Sequence, residues 1–324
     1  MYGAAATWRR RWYSSPARVS RLRRPVVSVG NLSVGGSGKT PVVAHIAQIL
    51  LALGERPGIL TRGYARTRPA LGVTVVSDGV RLLADVAAAG DEPFMLARAL
   101  PGVPVLVGAD RFASGSLAER ELGVTVHLLD DGFQHVQLAR DVDLLMVDDR
   151  DLDDCVLPTG RLREPLGNAA QADAALVTTE NPAHARNVAD TLGIEAAFTV
   201  RRQVHAACGL SGADLAGRKV APVVAFAGIA RPERFFTDLT AAGWHVAETV
   251  PFADHHPFTQ ADVDRLAEDA SAAGAAMLVT TEKDAVRLQG IDTHGLTIAY
   301  IPLTATIEPA DTFRAWLIDR LSQR

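Results

Sequence analysis

The sequence predicts an α/β protein in which a mainly parallel sheet is flanked by helices, followed by a second, smaller α/β domain. Strand-like and helix-like segments alternate along nearly all of the 324 residues, a pattern typical of strand–helix–strand units. A glycine-rich loop joins the first predicted strand to the first predicted helix, and a later apolar strand ends in two aspartates. In parallel sheets both features lie at the carboxyl edge, where such folds bind ligands.

The length of the chain exceeds one ordinary domain and predicts two. We expect a basic, aromatic segment over 1–24 and a first domain over 25–195. An extended connector over 196–207 then leads to a second domain over 208–324, whose regular elements begin near Val220. The last helix of this second domain is the one element that we expect to be able to pack back on the first.

Short apolar runs predict the strands of the first domain, namely Pro25–Val29, Pro57–Thr61, Val73–Val76, Val103–Val107, Thr125–Leu129, Val142–Val147 and Ala174–Thr178. Segments with helical spacing alternate with them, at Pro41–Leu53, Glu92–Leu100, Arg111–Leu122 and Ala183–Leu192. A loop rich in Asp, Pro and Gly spans 148–168. The second domain repeats the pattern, with strands at Pro222–Phe226, His245–Val250, Ala276–Thr280 and Leu296–Ile301 and helices at Pro232–Ala242, Gln260–Ala273 and Pro309–Ser322.

Composition excludes several classes of protein. With 48% hydrophobic residues, the chain can bury two full cores. Its two cysteines, Cys155 and Cys208, lack the spacing of metal ligands, which argues against a zinc site or a disulfide framework. No apolar run reaches the roughly 18 residues that a membrane-spanning helix requires, so we predict none.

The net charge of −4 hides a basic segment at the N-terminus. Residues 1–24 contain seven arginines and no acidic residue, together with Trp8, Trp12 and Tyr13. Aromatic rings among arginines are typical of a segment that lies on an anionic membrane surface. A solvated basic arm, a nucleic-acid tail and an organelle presequence have a similar composition and stay open as alternatives.

The glycine-rich loop has the parts of a phosphate-binding P-loop. Glycines allow the backbone to approach a polyphosphate, and the following helix adds its positive N-terminal dipole. Lys39 supplies a charge for the terminal phosphates, and the Thr40 hydroxyl is placed to ligate Mg²⁺. The residues that we expect to bind nucleotide are Gly35, Gly36, Ser37, Gly38, Lys39 and Thr40.

One position departs from the usual P-loop pattern, which has a glycine five residues before Gly38. This chain has Ser33 at that position, and its earlier glycine is Gly30. A glycine-rich turn that binds nothing is the alternative. The strand before the loop and the helix after it favour nucleotide binding.

Acidic residues provide candidates for metal binding and proton transfer. Asp130 and Asp131 end an apolar strand, as do the acids that face Mg²⁺ in P-loop folds, although Asp-Asp-Gly is also a turn sequence. Asp91 is a candidate too, but it is equally suited to capping the helix that follows it. The loop that contains Arg163 and Glu164 has little reason to be ordered unless it binds a ligand.

A pair of histidines is the candidate in the second domain. His255 and His256 follow Asp254, an arrangement that suits a base and its orienting partner. An ordinary loop or an incomplete metal site fits the spacing as well.

Together these motifs resemble one family, the tetraacyldisaccharide 4′-kinases of lipid A biosynthesis. The matching stretches come in the family's order: GNLSVGGSGKTP at 30–41, TRGY at 61–64, GDEP at 90–93, DDGFQH at 130–135, LREP at 162–165 and DHH at 254–256. They span nearly the whole chain, and DDGFQH beside this P-loop is highly specific. Ser33 is itself the family's form of the loop.

The resemblance implies transfer of the γ-phosphate of ATP to the 4′-hydroxyl of a tetraacylated glucosamine disaccharide 1-phosphate, which gives lipid IV-A. It implies that Lys39 and Thr40 bind phosphates and Mg²⁺. It also implies that Asp130, Asp131 and Glu164 form the acidic shell around the metal and nucleotide.

The resemblance further implies that Asp91 takes the hydroxyl proton and that His255 is its partner from the second domain. A pair drawn from two domains would complete the site only on closure, which limits wasteful hydrolysis of ATP. Seven further residues match positions that resemble substrate or phosphate contacts: Arg62, Tyr64, Glu92, Arg111, Gln134, His135 and Arg163.

The resemblance also implies a location on the cytoplasmic face of the bacterial inner membrane. Family members usually begin with a longer apolar segment than the one that precedes Arg9 here. We therefore expect peripheral attachment to an anionic surface that is largely electrostatic and salt-sensitive. We expect no nucleic-acid partner.

Two other classes of protein use the same kind of loop, namely a P-loop GTPase or ATPase regulator and a nucleotide-gated adaptor. A GTPase carries an Asn/Thr-Lys-x-Asp signature for guanine, and the nearest match here is TEKD at 281–284, in the second domain and without the Asn. Phosphate release measured with and without a lipid acceptor separates these classes from a lipid kinase.

Overall fold

The structure is a computed structural model of the chain. It describes residues 2–64, 66–210, 215, 221–293 and 295–323. Val220, near which the regular elements of the second domain were expected to begin, lies outside the described residues, as do residues 1 and 324.

The described residues form fourteen strands, numbered in chain order: β1 (Val26–Asn31), β2 (Pro57–Thr61), β3 (Thr74–Asp78), β4 (Pro104–Val107), β5 (Val126–Asp130), β6 (Val142–Val147), β7 (Ala174–Val177), β8 (Ala196–Val204), β9 (Cys208–Gly209), β10 (Val223–Ala227), β11 (Val246–Pro251), β12 (Met277–Thr281), β13 (Ile298–Ile301) and β14 (Leu303–Glu308). The same residues form ten α-helices: α1 (Tyr2–Trp12), α2 (Lys39–Ala52), α3 (Val86–Ala89), α4 (Asp91–Ala99), α5 (Arg111–Glu121), α6 (Pro182–Leu192), α7 (Pro232–Ala241), α8 (Gln260–Ala272), α9 (Glu282–Arg287) and α10 (Ala310–Ser322). Short 3₁₀ helices occupy Pro16–Arg18, Asp149–Asp151 and Leu166–Gln171.

The chain divides into two compact units, Met1–Arg202 with Ala305–Arg324, and Gln203–Thr304. The sheet of the first unit has nine strands in the order β14-β8-β7-β6-β1-β5-β2-β4-β3. From β8 to β4 every neighbouring pair is parallel, and β3 is antiparallel to β4. The predicted fold class, a mainly parallel sheet flanked by helices, is confirmed.

The central strands of this sheet are buried along their whole length. Every residue of β1, β5 and β6 is buried, as expected for parallel strands that are covered by helices on both faces. The register between β1 and β5 pairs Val29 with Asp130. That pairing places the first aspartate of DDGFQH beside the end of the strand that leads into the glycine-rich loop.

The second unit has a five-stranded sheet in the order β11-β10-β12-β13-β9, parallel except for β9. Apolar side chains cover both of its faces. One cluster includes Leu239 and Trp244, and the other includes Phe226, Phe258 and Leu266. The unit therefore has a core of its own.

The structure divides the chain differently from the predicted domains. The expected connector over 196–207 is largely strand β8, which pairs in parallel with β7. The last helix belongs to the first unit, where the Phe313 and Trp316 rings lie 5.0 and 5.5 Å from the Phe198 ring. In addition to its pairing with β7, β8 is thus covered by aromatic rings from the far end of the chain.

Candidate active site

The glycine-rich loop passes from the end of β1 to the first residue of α2. Gly35 and Gly38 adopt left-handed backbone conformations, with φ of 102° and 80°, which glycine adopts without strain. Gly38 is the N-cap of α2 and has no side chain with which to bond the first amides of the helix. Those amides, which belong to Lys39 and Thr40, and the helix dipole favour an anion at this position.

The Lys39 ammonium lies among oxygen atoms at the mouth of this loop. It donates to Asn31 Oδ1 at 2.7 Å and to Ser37 Oγ at 3.2 Å, and it lies 3.3 Å from Asp131 Oδ1. The lysine is therefore held at the N-terminus of the helix. A phosphate oxygen bound there would contact both the Lys39 ammonium and the backbone amides of the loop.

Gly30, the earlier glycine of the loop, is explained by its contact with the DDGFQH motif. A Cβ at Gly30 would lie 2.4 Å from Phe133 Cβ and 2.6 Å from Phe133 N, so only glycine allows the DDGFQH backbone to pass so close to β1. Ser33, which replaces the usual first glycine, is buried and accepts bonds from the Asn31 amide. The serine at position 33 is thus held in place by hydrogen bonds within the loop, and the glycine at position 30 is required by the close approach of Phe133.

Asp131 connects this loop to the one that contains Arg163. The Arg163 guanidinium donates to both Asp131 oxygens, at 2.8 and 2.9 Å, and also bonds the Asn31 carbonyl at 2.9 Å. Desolvation opposes ionisation, but Lys39 and Arg163 outweigh it and hold the pKa of Asp131 well below its usual range. The carboxylate is charged at any physiological pH.

Asp130 has a different environment. It is buried at the end of β5, and its bond from the Thr61 hydroxyl is long, at 3.5 Å. Burial is the largest cause, and the carboxylates of Glu92 and Asp131 add to it; together they raise the pKa of Asp130 to about 7. The positive charges of Lys39 and Arg111 oppose this shift without cancelling it. A cation beside Asp130 would supply the missing charge, and carboxylate oxygens are ligands that Mg²⁺ prefers.

Glu164, the third expected metal ligand, is instead surrounded by hydrogen-bond donors. It is buried, and its two oxygens accept bonds from Arg10, from Gln134 at 2.8 Å and from Asn168 at 2.9 Å. Burial alone would raise the pKa of Glu164, but these bonds and the charge of Arg10 hold it below its usual range. These contacts point to a bracing role, and metal binding by Glu164 stays a prediction that they do not support.

Arginines gather around the acidic edge. Arg111, the first residue of α5, is buried, and burial together with the nearby charge of Arg62 lowers its pKa to about 10, so it is still protonated at neutral pH. Burial, with the charges of Arg111 and other arginines, lowers the pKa of His135 to about 4. His135 is therefore neutral at physiological pH. Of the other expected contacts, Tyr64 is 74% exposed and Glu92 lies in the first turn of α4.

Asp91 is the buried first residue of α4, and Gly90 is the N-cap. The role of a capping side chain, which was the alternative for Asp91, is therefore not the one seen. Gly90 has φ of 88°, and a Cβ there would lie 2.8 Å from the Tyr64 carbonyl oxygen. The GDEP turn and the TRGY loop are thus in close contact.

In the second unit the adjacent histidines have different surroundings. The ring of His256 lies 4.7 Å from Phe252 and 5.1 Å from Phe258, and its Nε2 is 3.0 Å from Asp262. His256 therefore packs as a structural residue. His255 has φ of 59°, a left-handed conformation that few non-glycine residues adopt.

Sequence reasoning missed Lys283, which it considered only as part of a guanine signature. Lys283 Nζ lies 3.3 Å from His255 Nε2 and 3.7 Å from Asp254. An ammonium group only donates, so His255 Nε2 is the acceptor and Nδ1 carries the ring proton.

The rest of TEKD frames the histidine loop. Asp284 is buried and accepts bonds from the Gly228 amide at 3.1 Å and the Thr281 hydroxyl at 2.6 Å. Arg287 donates to the carbonyls of Gly228 and His256, and the His255 amide donates to Gly228. The motif holds His255 in its unusual backbone conformation and has no geometry of a base-reading site.

A family model, "LpxK: Tetraacyldisaccharide-1-P 4′-kinase", matches residues 1–322. The chain belongs to this kinase family. It is 44% identical over 289 residues to the tetraacyldisaccharide 4′-kinase of Geobacter metallireducens, with 84% of this chain and 80% of the relative covered. It is 37% identical to that of Koribacter versatilis over 332 residues, with 100% and 98% covered.

A solved structure of a family member is also similar. It is the "apo" form of LpxK from Aquifex aeolicus in complex with ATP, with a TM-score of 0.78 and 31% sequence identity, covering 99% of this chain and 96% of that one. The predicted family and the predicted class of enzyme, an ATP-dependent kinase of lipid A biosynthesis, are confirmed.

The buried Asp130 gives a testable effect on stability. Its folded-state pKa of about 7 lies above the ordinary value of 3.8, so the folded protein holds a proton that the unfolded chain loses. The contribution of Asp130 to the stability of the folded protein therefore falls as the pH rises from about 4 to about 7. We expect Asp130→Asn to raise the melting temperature at about pH 8 and to change it little at about pH 4.

Thermal unfolding without Mg²⁺ or nucleotide, over this pH range, measures the effect. Asp141→Asn, at a carboxylate near the surface that pairs with Arg21, is the matched control. If the difference in melting temperature between Asp130→Asn and the wild type does not increase with pH, the raised pKa of Asp130 is contradicted.

Lys283 gives a second prediction. Lys283→Met removes the donor that fixes the His255 tautomer, and we expect kcat of the kinase reaction to fall about tenfold or more while the KM for ATP stays near that of the wild type. Lys283→Arg keeps a donor and should retain more activity. Steady-state kinetics of both variants checks this; equal kcat in Lys283→Met and the wild type would exclude the role.

Proposed function

We propose that this kinase transfers the γ-phosphate of ATP to the 4′-hydroxyl of a tetraacylated glucosamine disaccharide 1-phosphate, forming lipid IV-A. The observation that carries the proposal is the position of Lys39 at the N-terminus of α2, between Asn31, Ser37 and Asp131. Such a cradle binds polyphosphates through backbone amides and one ammonium. The Aquifex relative was solved in complex with ATP, which supports the same nucleotide here.

We assign Mg²⁺ to the acidic edge beside this loop, with Asp130 and the Thr40 hydroxyl as ligands. Mg²⁺ is commonly held by one or two carboxylates together with substrate phosphates. Among the described residues, no group of three or more His, Cys, Asp or Glu side chains is arranged to hold a metal ion, so phosphate oxygens would complete the coordination. Asp131 is already shared by Lys39 and Arg163 and orients both. When bound, the ion would neutralise charge on the transferring phosphoryl group.

Asp91 is proposed as the group that takes the proton of the sugar hydroxyl. It is buried at the N-terminus of α4, beside Glu92, whose charge acts on Asp130. Phosphoryl transfer depends mostly on positioning, so a carboxylate near the acceptor can receive the proton late in the reaction. His255 is proposed as the partner of this carboxylate, as the family resemblance implies.

The arginines at the acidic edge are proposed to bind phosphate groups of the substrates. The positive charges of Arg111 and Arg62 repel each other, and the negative charges of Asp130 and Asp131 offset this repulsion only in part. An anionic phosphate would relieve that repulsion, and guanidinium groups bind phosphate in a bidentate manner. Tyr64, Gln134 and the neutral His135 are further candidates for contacts with the acceptor.

The reaction itself provides the third prediction. Incubation with ATP, Mg²⁺ and the disaccharide 1-phosphate should add the mass of one phosphate group to the lipid. We expect Asp91→Asn and His255→Gln each to lower kcat by about 100-fold or more while the binding of ATP is retained. Near-normal turnover by Asp91→Asn would remove this residue from the role of base.

The same assay tests the alternatives. A GTPase, an ATPase regulator or a nucleotide-gated adaptor would release phosphate without modifying the lipid. No observation in the described structure favours these classes over the lipid kinase.

We propose that the protein attaches peripherally to the cytoplasmic face of the inner membrane through its N-terminal segment. Trp8 and Trp12 are 63% and 44% exposed, with ring centroids 5.4 Å apart, and the Arg18 guanidinium lies 3.7 Å from the Trp12 ring. Exposed aromatic rings beside arginines suit the headgroup region of an anionic bilayer. In the described part of the chain, no helix has both the length and the apolar character needed to cross a membrane.

Vesicle binding tests this attachment and is the fourth prediction. The double variant Trp8→Ser/Trp12→Ser should bind anionic vesicles more weakly than the wild type, and wild-type binding should weaken as salt rises, because screening acts within about 10 Å at 0.1 M salt. Co-sedimentation with anionic and neutral vesicles measures both effects. Equal binding of the double variant and the wild type would contradict the role of this segment.

A further inference from the structure

One arginine of α1 points inward and is surrounded by the catalytic loops. Arg10 is 7% exposed, whereas its neighbour Arg11 is an exposed residue. The guanidinium of Arg10 bonds both oxygens of Glu164, the Phe133 carbonyl at 2.9 Å and Gln171 Oε1 at 3.0 Å. It also lies over the Phe133 ring, 4.2 Å from the centroid.

Other contacts fix α1 to the same loops. Arg9 Nη1 donates to the Gln134 carbonyl at 2.7 Å. A Cβ at Gly3 would lie 3.4 Å from Pro165 Cγ, so the start of the helix runs along the LREP loop. The helix that carries Trp8 on its exposed side thus contacts both DDGFQH and LREP on its buried side.

Glu164 connects α1 to the phosphate loop through further hydrogen bonds. Its Oε1 accepts from Gln134 Nε2, and the same Nε2 bonds the Asn31 carbonyl at 3.0 Å. The neighbouring Arg163 bonds that carbonyl too and grips Asp131, which faces Lys39. A continuous set of charged and polar bonds therefore joins α1 to the ammonium at the phosphate site.

We propose that Arg10 is a positioning residue for phosphoryl transfer, which seats the DDGFQH and LREP loops against the phosphate loop through Glu164 and Gln134 and so couples the lipid-facing helix α1 to nucleotide binding. The inference rests on the proposed function. Such coupling is reciprocal: engagement of α1 by an anionic surface changes the affinity for nucleotide, and nucleotide changes the affinity for that surface by the same factor.

Arg10→Gln and Arg11→Gln form a matched pair for the test. Both remove one charge from α1, but only the first removes the buried bonds. We expect kcat with ATP and the disaccharide 1-phosphate to be about 10- to 100-fold lower in Arg10→Gln than in Arg11→Gln, because a small displacement of catalytic groups has effects of this size. Equal kcat in the two variants would overturn the proposal.

A second measurement separates positioning from loss of folding. We would measure the affinity for a non-hydrolysable ATP analogue by titration, with and without anionic vesicles, alongside the melting temperature. The wild type and Arg11→Gln should show a vesicle-dependent affinity, and Arg10→Gln should bind the analogue with the same affinity under both conditions. A vesicle effect of wild-type size in Arg10→Gln would contradict the coupling. If Arg10→Gln does not fold, Arg10→Lys takes its place, because lysine keeps the positive charge but cannot bond both oxygens of Glu164 through a planar guanidinium. We then expect a smaller vesicle effect on the affinity than in the wild type.

Glu164 completes the design. If its main partner is Arg10, the neutral pair Arg10→Gln/Glu164→Gln should be more active than Arg10→Gln alone, because no buried carboxylate is left without its counter-ion. The proposal is overturned if two results occur together. The double variant is less active than Arg10→Gln, and both it and Glu164→Gln require a higher concentration of Mg²⁺ than the wild type. Such results would show that Glu164 is a metal ligand. A wild type that leaves the lipid unphosphorylated but keeps the vesicle-dependent affinity would instead count against the proposed function alone.

Discussion

The carboxylate of Asp131 is the point at which the three loops of the phosphate site meet. It lies 3.3 Å from Lys39 of the P-loop and accepts two bonds from Arg163 of the LREP loop. Asp131 has φ of 55°, and a Cβ at Gly132 would lie 2.5 Å from Ser28 Oγ. The chain thus turns sharply at the end of β5 to bring this carboxylate to both cations. Displacing any one of the loops would break charge-assisted hydrogen bonds, which are stronger than bonds between neutral groups.

The parts of this site that the sequence predicts are those encoded by adjacent residues. The P-loop, the acids at the end of β5 and the alternation of strands and helices are local patterns, and the structure has each of them where the pattern indicates. The role of Glu164 is not local: its partner Arg10 lies 154 positions earlier in the chain. The metal role that the family resemblance implies for Glu164 stays a prediction, whereas its pairing with Arg10 is visible only in the folded structure.

The same reason separates the two histidines, and it explains the domain boundaries. His255 and His256 are adjacent in the sequence, and what separates them is that Lys283, 28 positions away, lies 3.3 Å from His255 Nε2, whereas the ring of His256 packs against Phe252 and Phe258. Likewise, β8 reads as a connector because the aromatic rings that cover Phe198 belong to α10. Partners supplied by distant segments are visible only once the chain has folded.

The distribution of charge also indicates what the binding of a nucleotide has to change. Lys39 is in contact with Asp131, so a phosphate that reaches the ammonium meets a carboxylate already there. Asp130 nearby is disfavoured as an anion, and Arg111 is disfavoured as a cation. In the binding mode that we propose, a magnesium nucleotide would bring both signs of charge together, with the metal toward Asp130 and the phosphates toward Lys39 and the arginines. The groups whose charged forms are least favoured in the structure would therefore be those whose charge this ligand complements, which is how electrostatic preorganisation favours a bound state.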